Sequence, residues 1–140
     1  MNTKVAAGFV ALAAVLAMLA GSAQAEVPED GLYDFTNRTD AGVVQFDARI
    51  EKVGDYNGDG IYLLHTGDGK PAFLSAESAN AGAKVDYAGP NETHWWLHKN
   101  KAGWSLHHKD NGANCLSTKG GYSLTRAQGT KDQLWEMKLK

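Results

Sequence analysis

Trp104-Ser105-Leu106-His107, then Cys115-Leu116-Ser117, then Gln133-Leu134-Trp135: these three short strings decide the fold, because an earlier stretch repeats them. Tyr62-Leu63-Leu64-His65 stands 42 positions before the first string (62→104), and Phe73-Leu74-Ser75 stands 42 before the second (74→116). His94-Trp95-Trp96 precedes the third by 39 when its last residue is taken as the anchor (96→135). Each copy opens on an aromatic-x-Leu-His string, passes a Gly/Asp/Asn-rich turn, reaches an apolar-Leu-Ser step and closes on Trp. A period near 40 residues marks a repeat architecture, in which one unit is too small to bury its own apolar face. Repeated units present repeated surfaces, which favours binding over catalysis.

Between these anchors, short apolar runs are separated by Asp59-Gly60, Gly67-Asp68-Gly69, Gly89-Pro90-Asn91, Asn111-Gly112 and Gly120-Gly121. Turn signals every 8 to 12 residues or so are the pattern of an all-β sandwich or barrel. Strands are expected over 32–35, 43–46, 49–53, 61–64, 83–87, 95–97, 104–107, 122–125 and 134–139. Alternation along a strand sends Trp104 and Leu106 to one face and Ser105 and His107 to the other. Three units follow, over 26–60, 61–100 and 101–140. The first is short and divergent: Gly31-Leu32-Tyr33-Asp34-Phe35 opens it, and no Trp closes it.

Residues 1–25 read as an export signal. One lysine, Lys4, precedes an uncharged run over 6–20, and Gly21-Ser22-Ala23-Gln24-Ala25 ends in a small-x-small cleavage pattern. Some 15 apolar residues are too few to span a bilayer comfortably. Secretion or a periplasmic location is the expectation, with residues 26–140 as one domain. All 16 acidic residues and 13 of the 14 basic ones lie beyond residue 25. That mild negative balance argues against nucleic acid and against an anionic membrane surface. Cys115 is the only cysteine, so no intramolecular disulfide forms, and the thiol is expected to pack as a small hydrophobe.

Cys115-Leu116-Ser117, Tyr122-Ser123-Leu124-Thr125 and Asp132-Gln133-Leu134-Trp135 resemble a repeat of the ricin-type β-trefoil, with its Cys-Leu-Asp step, binding aromatic and closing Gln-x-Trp. The resemblance is fair over 61–140 and weak over 26–60. It implies three four-stranded units around a pseudo-threefold axis, a closed sheet without free edges, and one shallow sugar pocket per unit. Carried over residue by residue, the Asp position is Ser75 and Ser117, which removes the carboxylate that would accept two sugar hydroxyls. The stacking position falls at Tyr87 and Arg126, the polar position before the Gln at Thr93 and Asp132, and the Gln itself at His94 and Gln133. The resemblance makes Gln133, Trp96 and Trp135 fold-bracing residues, and Tyr87 the best sugar platform, since a ring face suits the C–H side of a sugar.

Other constellations carry less. Asp55-Tyr56-Asn57-Gly58-Asp59-Gly60 matches the first half of a calcium loop, but Thr66 stands where the bidentate acid belongs and Asp68 comes two residues late; a tight turn explains the same residues. His65 and His107 occupy equivalent positions that a threefold axis could draw together, and His94 and His98 share a strand face with Trp96, yet no metal-ligand spacing is present. No nucleophile-elbow motif occurs. Asn37-Arg38-Thr39 and Asn91-Glu92-Thr93 fit the glycosylation sequon, without functional weight in an export signal of bacterial type. The expectation is an exported, non-enzymatic, lectin-like protein without a cofactor or metal, whose partner is a glycan. The alternative is a protein-binding module, an inhibitor or toxin-associated subunit using the same loops.

Overall fold

In the computed structural model, residues 27–67 and 72–140 are described; the export segment over 1–25 and Asp68 lie outside the described residues. Among the described residues, ten antiparallel strands form a single sheet: β1 (Gly31–Thr39), β2 (Gly42–Tyr56), β3 (Asp59–His65), β4 (Phe73–Ala76), β5 (Val85–Gly89), β6 (Trp95–Asn100), β7 (Gly103–His108), β8 (Asn111–Ser117), β9 (Ser123–Arg126) and β10 (Glu136–Leu139). A 3₁₀ turn over Lys131–Gln133 leads into β10. Neighbours run β9-β8-β7-β6-β3-β2-β1-β10, with β4 against β3 and β5.

Two tryptophans close this sheet into a barrel. Trp104 at the head of β7 and Trp135 just before β10 exchange backbone hydrogen bonds of 2.8 Å in both directions. The path β7-β6-β3-β2-β1-β10 therefore returns to β7, and none of these six strands has an open edge to template aggregation. Hairpins β4–β5 and β8–β9 cap one end and are tied together by Val85 N–H to Tyr122 O, Leu124 N–H to Ala83 O and the Lys84–Ser123 bridge. The all-β, β-trefoil-like architecture is thus realised.

Before Gly60 the chain makes no separate cap. β1 and β2 form one uninterrupted ribbon, paired from Gly31–Ile50 to Thr39–Gly42, and β2 runs on to pair with β3. The runs over 43–46 and 49–53, expected as two strands, are one: Phe46, Ala48 and Ile50 alternate inward without a break. Phe35 stacks on Phe46 at 4.9 Å, and Phe46 in turn meets Tyr87 and Tyr122 edge-on. The Asn37 side chain is fully buried, its amide donating to Lys131 O and Leu134 O, so this sequon has no accessible acceptor.

Equivalent hydrogen bonds reveal which residues correspond. Trp135 Nε1–H donates to Leu116 O at 3.4 Å, and Trp95 Nε1–H donates to Leu74 O at 2.9 Å. Trp95 also pairs with Tyr62 as Trp135 pairs with Trp104. The closing Trp of the middle unit is therefore Trp95 and not Trp96, and the core-aromatic role expected of Trp96 passes to its neighbour. The cause is strand alternation: Trp95 and Leu97 are fully buried, which turns Trp96 and His98 outward. The Gln position moves with it from His94 to Thr93, and the preceding polar position to Glu92. Cys115 is buried in β8 and its thiol is pushed up to about 12 by burial, with Asp132 adding to the effect, so it stays a neutral packing group.

Candidate functional site

The positions marked by the β-trefoil resemblance are mostly consumed in bracing the fold. Ser117 is fully buried; its hydroxyl donates to Asp132 Oδ2 at 2.6 Å and accepts from Lys119 N–H at 3.0 Å. Burial would raise the Asp132 pKa, but hydrogen bonds from Ser117, Thr130 and its own backbone, with the Lys119 charge, hold it below the usual range. Gln133 has its side chain fully engaged: Oε1 accepts from Gln128 and Gly129 N–H, and Nε2 donates to Thr125 Oγ1 and Arg126 O. Arg126 is exposed, with only its carbonyl drawn in. Ser117, Asp132, Gln133 and Arg126 are thus gathered around one loop, as bracing.

In the middle unit Ser75 is buried and donates to Asn91 O at 2.7 Å, while Thr93 Oγ1 accepts from Ala76 N–H at 2.9 Å. Tyr87 is half-buried. Its ring meets Phe46 edge-on at 6.0 Å, and its hydroxyl donates to Asp47 O at 3.3 Å. The half-buried ring packs against the core on one side. His94 remains half-exposed, its carbonyl accepting from Lys109 N–H at 3.0 Å.

A different cluster has the character of a site. The outward face of β6 carries Trp96 and His98, and the β2–β3 turn folds over it. Tyr56 pairs with Asp59 across a two-residue turn in which Asn57 and Gly58 both have positive φ (50° and 85°), the geometry of a type I′ hairpin. That turn lays the Tyr56 ring edge-on to Trp96 at 4.9 Å while leaving Tyr56 50% exposed. On the far side the β7–β8 hairpin comes so close that a Cβ on Gly112 would lie 3.1 Å from the indole; only glycine seats Trp96 without displacement. Between them lies a depression of about 300 Å³ lined by Asp55, Tyr56, Ile61, Trp96, Lys109 and Gly112.

A buried carboxylate holds the indole in place. Asp59 is only 3% exposed, and its Oδ2 is 2.8 Å from both Trp96 Nε1 and His98 Nδ1. An ionised carboxylate only accepts, so Nδ1 of His98 carries a proton. Beneath them the His107 ring lies 4.5 Å from Trp96, with Nδ1 against Gly112 O at 2.8 Å and Nε2 against Ser105 Oγ at 2.7 Å. The carbonyl must accept from Nδ1–H, so in neutral His107 Nε2 accepts the Ser105 proton. Burial pushes His107 below the usual imidazole range; the Gly112 carbonyl opposes this, His98 reinforces it and Asp59 opposes it. His108 is lowered too, by burial against the pull of Asp110.

These two histidines make stability depend on pH. The folded protein binds their protons less readily than the unfolded chain does. The stability they contribute is therefore present above the unfolded imidazole value of about 6.5 and lost as pH falls through the lower folded values. Asp132 acts in a separate, more acid window, its contribution present above the ordinary carboxylate range and lost below it. The thermal midpoint is expected to fall between about pH 7.5 and 5.5, and a His107→Gln variant to show a shallower slope. An unchanged slope would overturn this assignment.

His65 and His107 do not approach one another. His65 sits 2.8 Å from Glu51 and packs on Phe73, whereas His107 is buried against Trp96, Ser105 and Gly112. The calcium-like string is dispersed as well: Asp55 pairs with Lys52 Nζ at 2.7 Å, and Asp59 turns inward. Among the described residues no three metal-type ligands converge. The sequence reading missed Tyr56 as a ring of interest, although Asn57-Gly58 signals the hairpin turn that lifts it over β6.

No protein-family model matches the chain, and neither does any curated protein. The crystal structure of the Rhizoctonia solani agglutinin superimposes with a TM-score of 0.64 at 10% identity, covering 81% of this chain and 97% of that one. In fold, the chain resembles an agglutinin. At 10% identity the likeness is one of fold and does not extend to a Gln-x-Trp repeat, a string this chain holds once, at Gln133-Leu134-Trp135. The Trp95 and Trp135 contacts that secure this agglutinin-like barrel are hydrogen bonds and packing, which different residues can supply.

Proposed function

We propose that the protein binds carbohydrate in the depression beside the Tyr56–Trp96 ring pair, and acts as an exported binding protein rather than an enzyme. One observation carries this reading: a half-exposed tyrosine ring stands against an indole anchored by a buried carboxylate, beside a depression with Asp55 and Lys109 at its edge. Aromatic faces offer apolar area to the C–H side of a sugar ring, and a few fixed polar groups select its hydroxyls. Supporting it are the agglutinin-like fold and, for export, the apolar run ending in Ala23-Gln24-Ala25. Among the described residues no helix is long and apolar enough to cross a membrane.

A glycan array probed with residues 26–140 tests it, beside a Tyr56→Ala variant. Truncating an exposed aromatic anchor is expected to weaken binding by about tenfold or more while leaving the thermal midpoint close to wild type. A blank array, or a variant that binds as well as the parent, would refute glycan recognition at this cleft and turn attention to a protein partner.

A further inference from the structure

A second depression of about 300 Å³ adjoins the first. It is lined by Glu92, Thr93, His94, His108, Lys109 and Asp110. Lys109 lines both depressions, which sets them side by side. The run from Thr93 to His98 alternates strictly: Thr93, Trp95 and Leu97 are buried while His94, Trp96 and His98 are half-exposed. His94 and Trp96 therefore lie on the same side of an extended segment, roughly 6.6 Å apart at about 3.3 Å per residue. That separation is on the scale of one sugar ring from the next. The Lys109 N–H bond to His94 O, 3.0 Å, ties the β7–β8 turn to this segment.

We infer that the two depressions are consecutive subsites of one groove, and that its ligand is an uncharged oligosaccharide of at least two rings. This rests on the carbohydrate reading above and extends it. The aromatic subsite of Tyr56 and Trp96 takes one ring by its apolar face. The second takes the next ring through hydroxyl groups, for which it offers the carboxylates of Glu92 and Asp110 and the imidazole of His94. Ligand charge follows from the same lining. An acidic sugar would meet the carboxylates of Asp55, Glu92 and Asp110 against the single ammonium of Lys109, with Asp55 already balanced by Lys52. Two carboxylates facing one cation disfavour an anionic guest, whereas neutral hydroxyls can be accepted by both. His94, already a candidate ligand residue in the sequence, becomes the specificity residue for the second ring.

Calorimetric titration of residues 26–140 separates this inference from the reading beneath it. The probes are one-, two- and three-ring members of the glucose, galactose, mannose and N-acetylglucosamine series, with glucuronic and galacturonic acid oligomers as the charged arm. In at least one neutral series the two-ring sugar is expected to bind about tenfold tighter than the one-ring sugar. His94→Ala should erase that gain and leave one-ring affinity unchanged; Glu92→Gln serves as a second variant should His94→Ala fold poorly. Equal affinity for one and two rings in every series, or a gain that survives both variants, would overturn the two-subsite groove and leave the aromatic site standing. Binding confined to the uronic acids would overturn the ligand class alone. No binding in any series would remove the carbohydrate reading and this inference with it.

Discussion

Replacing Trp135 with alanine is expected to cost about 3–5 kcal/mol, a large part of the roughly 5–15 kcal/mol that holds a domain of this size together. Trp135 is fully buried, and three things depend on it at once. Its ring packs on Phe46 at 5.2 Å and on Tyr122 at 6.3 Å, joining the β1–β2 ribbon to the cap of the last unit. Its backbone closes the barrel against Trp104. Its indole N–H points at Leu116 O. Alanine keeps the backbone bonds but leaves a cavity where the segment leading into β10 meets β7. Chemical denaturation would show a much lower midpoint, and heating a loss of more than about 10 °C. Trp95→Ala should behave alike, being the equivalent residue of the middle unit. A Trp135→Ala midpoint within a degree or two of wild type would contradict this account of barrel closure.

Asp59→Ala should have the second-largest effect, about 2–3 kcal/mol. A carboxylate this buried is stabilised by the two N–H groups aimed at it, from Trp96 and His98. Removing it strands the indole N–H in a half-buried setting and frees the His98 ring, and leaving donors unpaired costs more than the bond itself contributed. The loss should also reach the cleft, because Trp96 is then positioned only by its contacts with Tyr56, His107 and Gly112. Asp59→Asn retains an acceptor oxygen and should lie between wild type and alanine in both stability and ligand affinity. Stability and binding both at wild-type level in Asp59→Ala would show that the carboxylate anchors nothing.

The sequence echo made the barrel legible. Tyr62 with Trp104, and Leu74 with Leu116, repeat at an interval of 42 (62→104, 74→116), and all four are core residues. Turn signals located most strands, since glycine and asparagine at hairpin tips respond to local φ and need no distant partner. The long β1–β2 ribbon was less legible: Asp47 and Ala48 interrupt the apolar run of β2 in sequence while its pairing with β1 continues through them. The site was least legible of all. Tyr87, Ser75 and Ser117 were marked by likeness to a repeat, yet each is drawn into hydrogen bonds or ring contacts supplied by residues elsewhere in the chain.

By itself the sequence determined an all-β chain built on a recurring set of apolar anchors, because the period-two alternation of strands and the chemistry of tight turns are local properties. It did not decide which of two adjacent tryptophans belongs to the core. A shift of one residue exchanges the faces of a strand, and only pairing with Tyr62 on β3 selected Trp95 and turned Trp96 outward. Nor did it assemble the cleft. Tyr56 comes from one hairpin, Trp96 from β6 and Gly112 from another hairpin, and they meet because β6 pairs with β3 on one side and with β7 on the other. Long-range pairing, with its dependence on every strand in between, decided what the local pattern could not.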